Sequence, residues 1–229
     1  MALLWLQLKA PFAAFRWMQA GVWRGTSPVI PPSAAWGLVL NLAGIETRAE
    51  APGVTTLVRE DAPRFELAIA SNGRGERSSL YQQLHSYPVG SSGKELQALT
   101  HGQKYWIVPV RRELLVDFDA VLGVRADESL LQRVVEGLAG GLSDHRYGLP
   151  FAGENNLLFD RIEALPSSPP VRWYTPVKRA EARREGSCRL TIGIDREDAS
   201  RTTSALFAPI STPTTAPPED AWVFVPRAA

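Results

Sequence analysis

The order of the predicted elements indicates an α+β fold built on a ferredoxin-like sheet. Apolar residues predict strands over Leu3–Leu8, Phe65–Ala70 and Leu114–Val124, and the second of these alternates between apolar and polar positions. A helix over Ala34–Ala43 separates the first two strands, and a second helix follows the third strand. A strand–helix–strand unit that occurs twice is the pattern of a split βαβ sheet.

The first strand and helix carry recognisable boundary residues. Leu3–Leu8 is apolar at almost every position, which indicates a central strand, and the prediction ends it before Pro11. A loop rich in Gly, Ser and Pro precedes Ser33, which we predict as the N-cap of the helix. Gly44 is predicted to end that helix.

A long hairpin is predicted between the second and third strands of the sheet. Its arms are Ser78–Tyr87 and Lys104–Val110. The polar, Gly-rich tip at 88–102 is expected to lie outside the main core.

The second predicted helix begins at Asp127 or Glu128 and ends at Leu138, before Gly140 and Gly141. Its apolar residues recur at helical spacing and are predicted to form the buried side. These residues are Leu130, Leu131, Val134, Val135 and Leu138.

Proline-rich breaks near residues 165–170 and 211–218 bracket a last group of strands, predicted over Arg189–Ile194 and Trp222–Pro226. The predicted organisation is therefore a core over 1–165, with its hairpin at about 78–110, and a smaller β-rich region over 166–229 packed on that core. The 45% hydrophobic content excludes a disordered chain.

Charge is distributed unevenly along a chain that is neutral overall, with 25 basic and 24 acidic residues. Residues 1–45 hold three basic residues and no acid, residues 72–112 hold six basic against two acidic, and residues 172–189 hold six against two. Three basic segments in a neutral protein favour one face that meets an anion.

Residue types suited to metal or thiol chemistry are sparse. His85, His101 and His145 lack the spacing of a metal site, so no metal or cofactor is expected. The single cysteine, Cys188, excludes an internal disulfide and fits a reducing, cytoplasmic location. The apolar run at 1–14 is shorter than the roughly 20 residues that span a bilayer, so no membrane association is expected.

The opening sequence LLWLQLKAPFAAFR, followed by RGTSPVIPPSAAWGLVLNLAGIE, resembles the N-terminus of the fifth Cas family, the repeat-associated RNA-binding subunits of type I CRISPR effectors. The resemblance is close over about the first 45 residues, and looser over the long hairpin and the segment RYGLPFAGENNLLFD. It is nearest to subtype I-B-like members. It implies an RRM-like core with a projecting hairpin called the thumb.

This resemblance implies a non-catalytic, cytoplasmic subunit of a hetero-oligomeric Cascade complex. Such a subunit caps the 5′ handle of the guide RNA, contacts the backbone and large subunits, and meets target DNA only indirectly. Phage defence, a developmental locus and an RNA-guided transposon all use such subunits, and the sequence leaves the choice among them open.

The residues predicted to contact RNA follow from this resemblance and from their chemistry. Arginine and lysine donate to phosphate, tryptophan stacks on unpaired bases, free N–H groups at a helix start bind anions, and glycine allows close backbone approach. The predicted RNA-binding residues are Arg16, Trp17, Arg24, Thr26, Ser27, Ser33, Ala34, Lys104, Arg111, Arg146, Gly148 and Gly153. Trp23 and Arg112 offer a further base platform and a further phosphate donor.

Two alternatives stay open from the sequence. Some members of the family cleave precursor guide RNA without metal, using a Tyr with a Lys and an adjacent His. This chain has His101, Lys104 and Tyr105 at one arm of the hairpin and Tyr81 and His85 on the other arm. It has no adjacent Lys–His pair. A small-molecule-binding α+β domain is the other alternative, which an enclosed pocket and the absence of a basic groove would favour.

Overall fold

A computed structural model describes residues 1–49, 56–73, 75–88, 105–143, 146–178 and 182–226, with the backbone alone at 84–88 and 105–108. Over these residues the protein is an α+β structure. The helices are α1 (Pro32–Leu42) and α2 (Glu128–Leu138). The strands are β1 (Ala2–Ala13), β2 (Arg16–Ala20), β3 (Trp23–Thr26), β4 (Arg48–Ala49), β5 (Leu57–Val58), β6 (Phe65–Ser71), β7 (Glu76–Pro88), β8 (Tyr105–Ala126), β9 (Arg161–Leu165), β10 (Arg172–Pro176), β11 (Cys188–Gly193), β12 (Thr203–Pro209) and β13 (Val223–Val225).

One large sheet organises the molecule. Its strand order is β11-β12-β10-β6-β8-β1-β9, and β6, β8, β1 and β9 pair with one another in antiparallel fashion. Helix α1 connects β1 to β6, and α2 connects β8 to β9. Leu6 and Leu8 of β1 and Leu122 of β8 are fully buried in the core that the sheet shares with the two helices.

Strand β1 lies between β8 and β9, which confirms the prediction of a central first strand. The strand is longer than predicted, because Phe12 and Ala13 still pair with Val116 and Leu115. The pairing of β1 with β8 continues on both sides of Pro11. Asp117, which lies opposite Pro11 on β8, has a φ of 54°, so both strands are irregular at this point.

The long hairpin consists of β7 and the first half of β8. The prediction that Leu114–Val124 is a separate strand is wrong, because β8 runs without interruption over 22 residues. Its neighbour changes along the way: β7 pairs with it up to Val116, and β6 pairs with it from Ala120. The predicted tip at 88–102 lies outside the described residues except for Pro88.

Both predicted helices are present within two residues of their predicted bounds. The N-cap prediction at Ser33 is wrong: Pro31 is the N-cap and Pro32 begins α1, since proline suits a first turn that needs no N–H donor. Gly44 follows α1 with a φ of 67°, as a C-terminal glycine does. Along α2, Val135 is 44% exposed and therefore not part of the buried side.

The C-terminal strands extend the same sheet. Strands β10 and β13 both pair with β6, at opposite ends of that strand, and β12 and β11 continue beyond β10. Trp173 of β10 is fully buried against Trp5, and Trp222 also packs on Trp5. The domain boundary near residue 165 stays a prediction. Neither helix in the described part of the chain has the length and apolarity required to cross a membrane.

Candidate nucleic-acid interface

A short hairpin formed by β2 and β3 carries the two arginines predicted to bind phosphate. Arg16 pairs across the hairpin with Thr26, and Gln19 pairs with Arg24, with a bulge at Trp17 between them. Arg16 is exposed and Arg24 is half-buried. The hairpin therefore presents both side chains from one small ribbon directly after β1.

Strand β3 runs parallel to β8, and this pairing places Arg24 directly beside Arg112. Like charges at neighbouring positions of a sheet repel each other. Burial, together with the charges of Arg24 and Arg16, lowers the pKa of Arg112 from its usual value. These three residues, Arg16, Arg24 and Arg112, form what we call the arginine cluster.

The members of the arginine cluster differ in their partners. Arg112 is only 6% exposed; it forms an ion pair with Glu154 and donates to Gln82 Oε1 at 3.2 Å and Asn156 Oδ1 at 3.3 Å. Among the described residues, no ion pair or hydrogen bond reaches the side chain of Arg16 or Arg24. The Nε atoms of Arg24 and Arg112 are both buried without a hydrogen-bond partner.

Glu154 offsets one of the three positive charges, and the unpartnered Nε donors of Arg24 and Arg112 make the arginine cluster a candidate anion site. The sequence singled out Arg16, Arg24 and Arg112 as separate phosphate donors, and the structure brings them together. Gln82, Glu154 and Asn156 were missed, because nothing local in the sequence signals that a hairpin strand and a distant loop meet at Arg112.

Aromatic side chains border the same hairpin. The ring of Trp17 is 48% exposed and lies across Gly25, where an added Cβ would approach its Nε1 atom to 3.0 Å. Trp23 is half-buried, and the Arg111 guanidinium lies 5.2 Å from the centre of its ring. Trp17 is thus outside the core and accessible to solvent, and its role as a base platform stays a prediction.

The structure corrects the interpretation of Thr26 and Ser27, which are buried. The Thr26 hydroxyl accepts from the backbone N–H of Phe15 at 2.8 Å, and the Thr26 backbone N–H donates to Glu113 Oε2 at 2.9 Å. The Ser27 backbone N–H donates to the Phe15 carbonyl. The backbone N–H groups of both residues are therefore already used, and these bonds hold the hairpin against the segment directly after β1.

The start of α1 is also less available than predicted. The backbone N–H groups of Ala34 and Ala35 both donate to the Pro31 carbonyl at 3.0 Å. Ser33 lies in the first turn and is half-buried. The expected anion site at the Ala34 N–H is therefore corrected, since that donor is already used.

The Gly-rich loop at 146–156 contains two glycines with different roles. Gly153 has a φ of 91°, and a Cβ there would lie 2.2 Å from the Ala14 carbonyl oxygen, so this glycine permits close contact with the backbone directly after β1. Gly148 has a φ of 69° and open space around it. The carbonyls of Tyr147 and Gly148 accept from the Asn41 side chain near the end of α1.

The remaining part of that loop does not join the arginine cluster. Arg146 is half-buried, and no hydrogen bond or ion pair connects Arg146 or Gly148 to the cluster among the described residues. Lys104, like His101, lies outside the described residues. Tyr81 is 75% exposed on β7, directly across from Arg111 on β8.

Two further observations concern the other functional classes. Within the described part of the chain, no three His, Cys, Asp or Glu side chains group closely enough to hold a metal ion. An apolar space lined by Leu67, Ile69 and Phe207 leaves no room for a water molecule, so it does not accommodate a small-molecule ligand.

A family model described as CRISPR-associated protein (Cas_Cas5) matches residues 3–148, more than half of the chain. The chain belongs to this Cas5 family. A search among curated proteins found no match.

Two solved structures share the fold of this Cas5 family member. A chain of a "CRISPR RNA-guided surveillance complex" matches with a TM-score of 0.59 and 13% identity, over 94% of this chain and 92% of the other. A structure described as "Crystal structure of Cas protein" matches with a TM-score of 0.52 and 12% identity, over 93% and 95%. Both likenesses extend through the C-terminal strands beyond the matched family region.

Proposed function

We propose that this chain is a non-catalytic, guide-RNA-binding subunit of a type I CRISPR surveillance complex, in which it holds the 5′ handle of the guide. The observation that carries the proposal is the arginine cluster. Two of its three side chains have no partner among the described residues, and two of its Nε donors are buried without an acceptor. A phosphate of single-stranded RNA would supply negative charge and acceptor oxygens to Arg16 and Arg24, whereas Arg112 is already paired with Glu154.

The architecture supports the same proposal. The order β9-β1-β8-β6, with one helix after β1 and one after β8, supports the proposal of a ferredoxin-like, RRM-like sheet. In this proposal the β7–β8 hairpin is the thumb expected of the family. The proposal also includes two features that the sequence resemblance implies. The subunit works in a cytoplasmic, hetero-oligomeric assembly with backbone and large subunits, and that assembly is subtype I-B-like.

A non-catalytic role is favoured by what the sequence lacks. The nuclease members use a Lys adjacent to a His, and no such pair occurs in this chain. Handle processing is then the task of a separate ribonuclease, and this subunit retains the cut end.

The test is the salt dependence of binding to the cognate CRISPR repeat RNA. Replacing Arg16 and Arg24 together with alanine removes two phosphate contacts. Because each contact to a single strand contributes about 0.7 to the slope of log K against log salt, the slope should become shallower by about 1.4. Fluorescence anisotropy over a series of salt concentrations measures it.

A matched control removes the same charge elsewhere. Arg64 and Arg196 are exposed arginines on other parts of the chain. Their double alanine variant should leave the slope within the error of the wild type. An equal loss in both double variants would show that net charge alone governs binding, and an unchanged slope in the Arg16/Arg24 variant would place the RNA elsewhere.

A further inference from the structure

Arg112 fixes the orientation of two neighbouring amide side chains. Its guanidinium donates to Gln82 Oε1 and Asn156 Oδ1. A guanidinium has donors and no acceptor, so each amide must turn its carbonyl oxygen toward Arg112. The NH₂ groups of both amides are then directed away from Arg112.

These two NH₂ groups are available to a ligand. Gln82 is half-buried and Asn156 is exposed. Among the described residues, neither amide nitrogen donates a hydrogen bond. Within the described part of the chain, each side chain therefore has its acceptor engaged by Arg112 and no partner for its NH₂ group.

The strand arrangement places these donors beside the arginines. At Arg112, strand β8 lies between β3, where Arg24 is its direct neighbour, and β7, where Gln82 pairs with Val110, two residues before Arg112. Two strand spacings separate the outer strands by about 10 Å. Asn156 reaches Arg112 from the loop after α2, where Glu154 neutralises the buried guanidinium.

We propose that Arg16, Arg24, Gln82 and Asn156 form a site in which these four side chains present only hydrogen-bond donors to a ligand. Arg112 is its positioning residue, and Arg112 engages the neighbouring carboxylate of Glu154. The ligand class is a phosphodiester of single-stranded RNA, whose oxygens only accept. This inference rests on the proposed function and adds two residues that the arginines alone do not identify. Arg112 acts through the amides that it orients, because its own Nη atoms are already engaged.

The proposal predicts a particular effect of converting the amides to acids. A carboxylate in place of Asn156 or Gln82 still accepts from Arg112, so thermal stability should be retained. It presents an acceptor to the ligand where the amide presented a donor. Asn156→Asp and Gln82→Glu should therefore weaken binding of a short fluorescein-labelled oligouridylate.

The neighbouring residues supply matched controls. Asn155→Asp and Gln83→Glu introduce the same charge one residue away, and both control residues are exposed. Hydrogen bonds to charged groups are strong enough that each test variant should bind roughly tenfold more weakly than its control. All four variants are compared by fluorescence anisotropy at one salt concentration, and each is checked for its melting temperature.

The outcomes separate this inference from the proposed function. Equal affinities within each pair would overturn the donor-only site, even where the Arg16/Arg24 variant lowers the salt slope. A normal salt slope in the Arg16/Arg24 variant would instead overturn the proposed function, and with it this inference.

Discussion

Replacing Gly153 with alanine would place a methyl group against the backbone of Ala14. The added Cβ would lie 2.2 Å from the Ala14 carbonyl oxygen and 2.6 Å from its carbonyl carbon. Both atoms belong to a backbone held by the hydrogen bond from the Ala14 N–H to the Ala152 carbonyl at 2.9 Å. Neither side can move without separating the loop from β1.

The expected magnitude has two parts. A positive φ costs a non-glycine residue about 1–2 kcal/mol, and forcing extra volume into a packed site costs about 1–3 kcal/mol. Gly153→Ala should therefore lower the free energy of unfolding by about 2–5 kcal/mol. For a chain of this size that corresponds to a melting temperature lower by roughly 4–20 °C.

Gly148→Ala is the matched control, since Gly148 has a similar backbone requirement but open space around its Cα. It should cost only the conformational part, about 1–2 kcal/mol. Urea denaturation of both variants measures the difference. Equal stability of the two variants would refute the packing argument for Gly153.

RNA binding gives a second readout of the same pair. Gly153→Ala displaces the loop that carries Glu154 and Asn156, so it should weaken binding under conditions where the protein remains folded. Gly148→Ala should leave binding unchanged unless the backbone at Gly148 approaches a phosphate, as the sequence predicts. Weaker binding by a stable Gly148→Ala variant would support that sequence prediction.

Three other predictions follow from the structure. Gly37 lies in open space within α1, so Gly37→Ala should stabilise the protein by about 0.5–1 kcal/mol. Gly137→Ala in α2 should destabilise the protein by at least about 1 kcal/mol, because the added Cβ would overlap the Leu42 carbonyl. Chemical denaturation that shows the same sign for both variants would contradict this prediction. Burial raises the pKa of Cys188 to about 12, so the thiol should react slowly with a thiol reagent at pH 8 in the folded protein and rapidly in urea. Because the pKa is higher in the folded state, the contribution of the neutral thiol to the free energy of unfolding is complete below the unfolded pKa near 9. That contribution is lost as the pH rises toward 12. Incubation with the repeat RNA in EDTA should yield no specific cut, and a product ending in a 2′,3′-cyclic phosphate would promote the ribonuclease alternative.

The sequence alone was sufficient for the elements whose pattern is local. The α2 prediction is confirmed because its apolar residues recur at helical spacing, with Asp127 before it and a glycine after it. The identity of Arg16 and Arg24 as candidate phosphate donors also came from the sequence, since the opening block resembles an RNA-binding family. Both features depend on residues that lie close to each other in the sequence.

The continuity of β8 was decided by tertiary structure. In the sequence, the charged run at 111–113 resembles the end of one strand. The acidic residues at 117 and 119 resemble the exposed edge of a second strand. In the folded chain, Arg112 and Asp119 are both buried because other elements supply their partners: Glu154 for Arg112, and Gln7 and Asn72 for Asp119. Those partners are distant in sequence, so no local pattern reveals them.

The composition of the candidate site was likewise decided by strand pairing. Arg24 and Arg112 lie 88 positions apart and become neighbours only because β3 joins the edge of β8 in parallel register. The same fold buries Thr26 and Ser27, which the sequence presented as contact residues. The sequence determined which hydrogen-bond donors the chain possesses. The register of the sheet determined which of these donors converge, because register is fixed by the pairing of whole strands and by the burial of one face of the sheet.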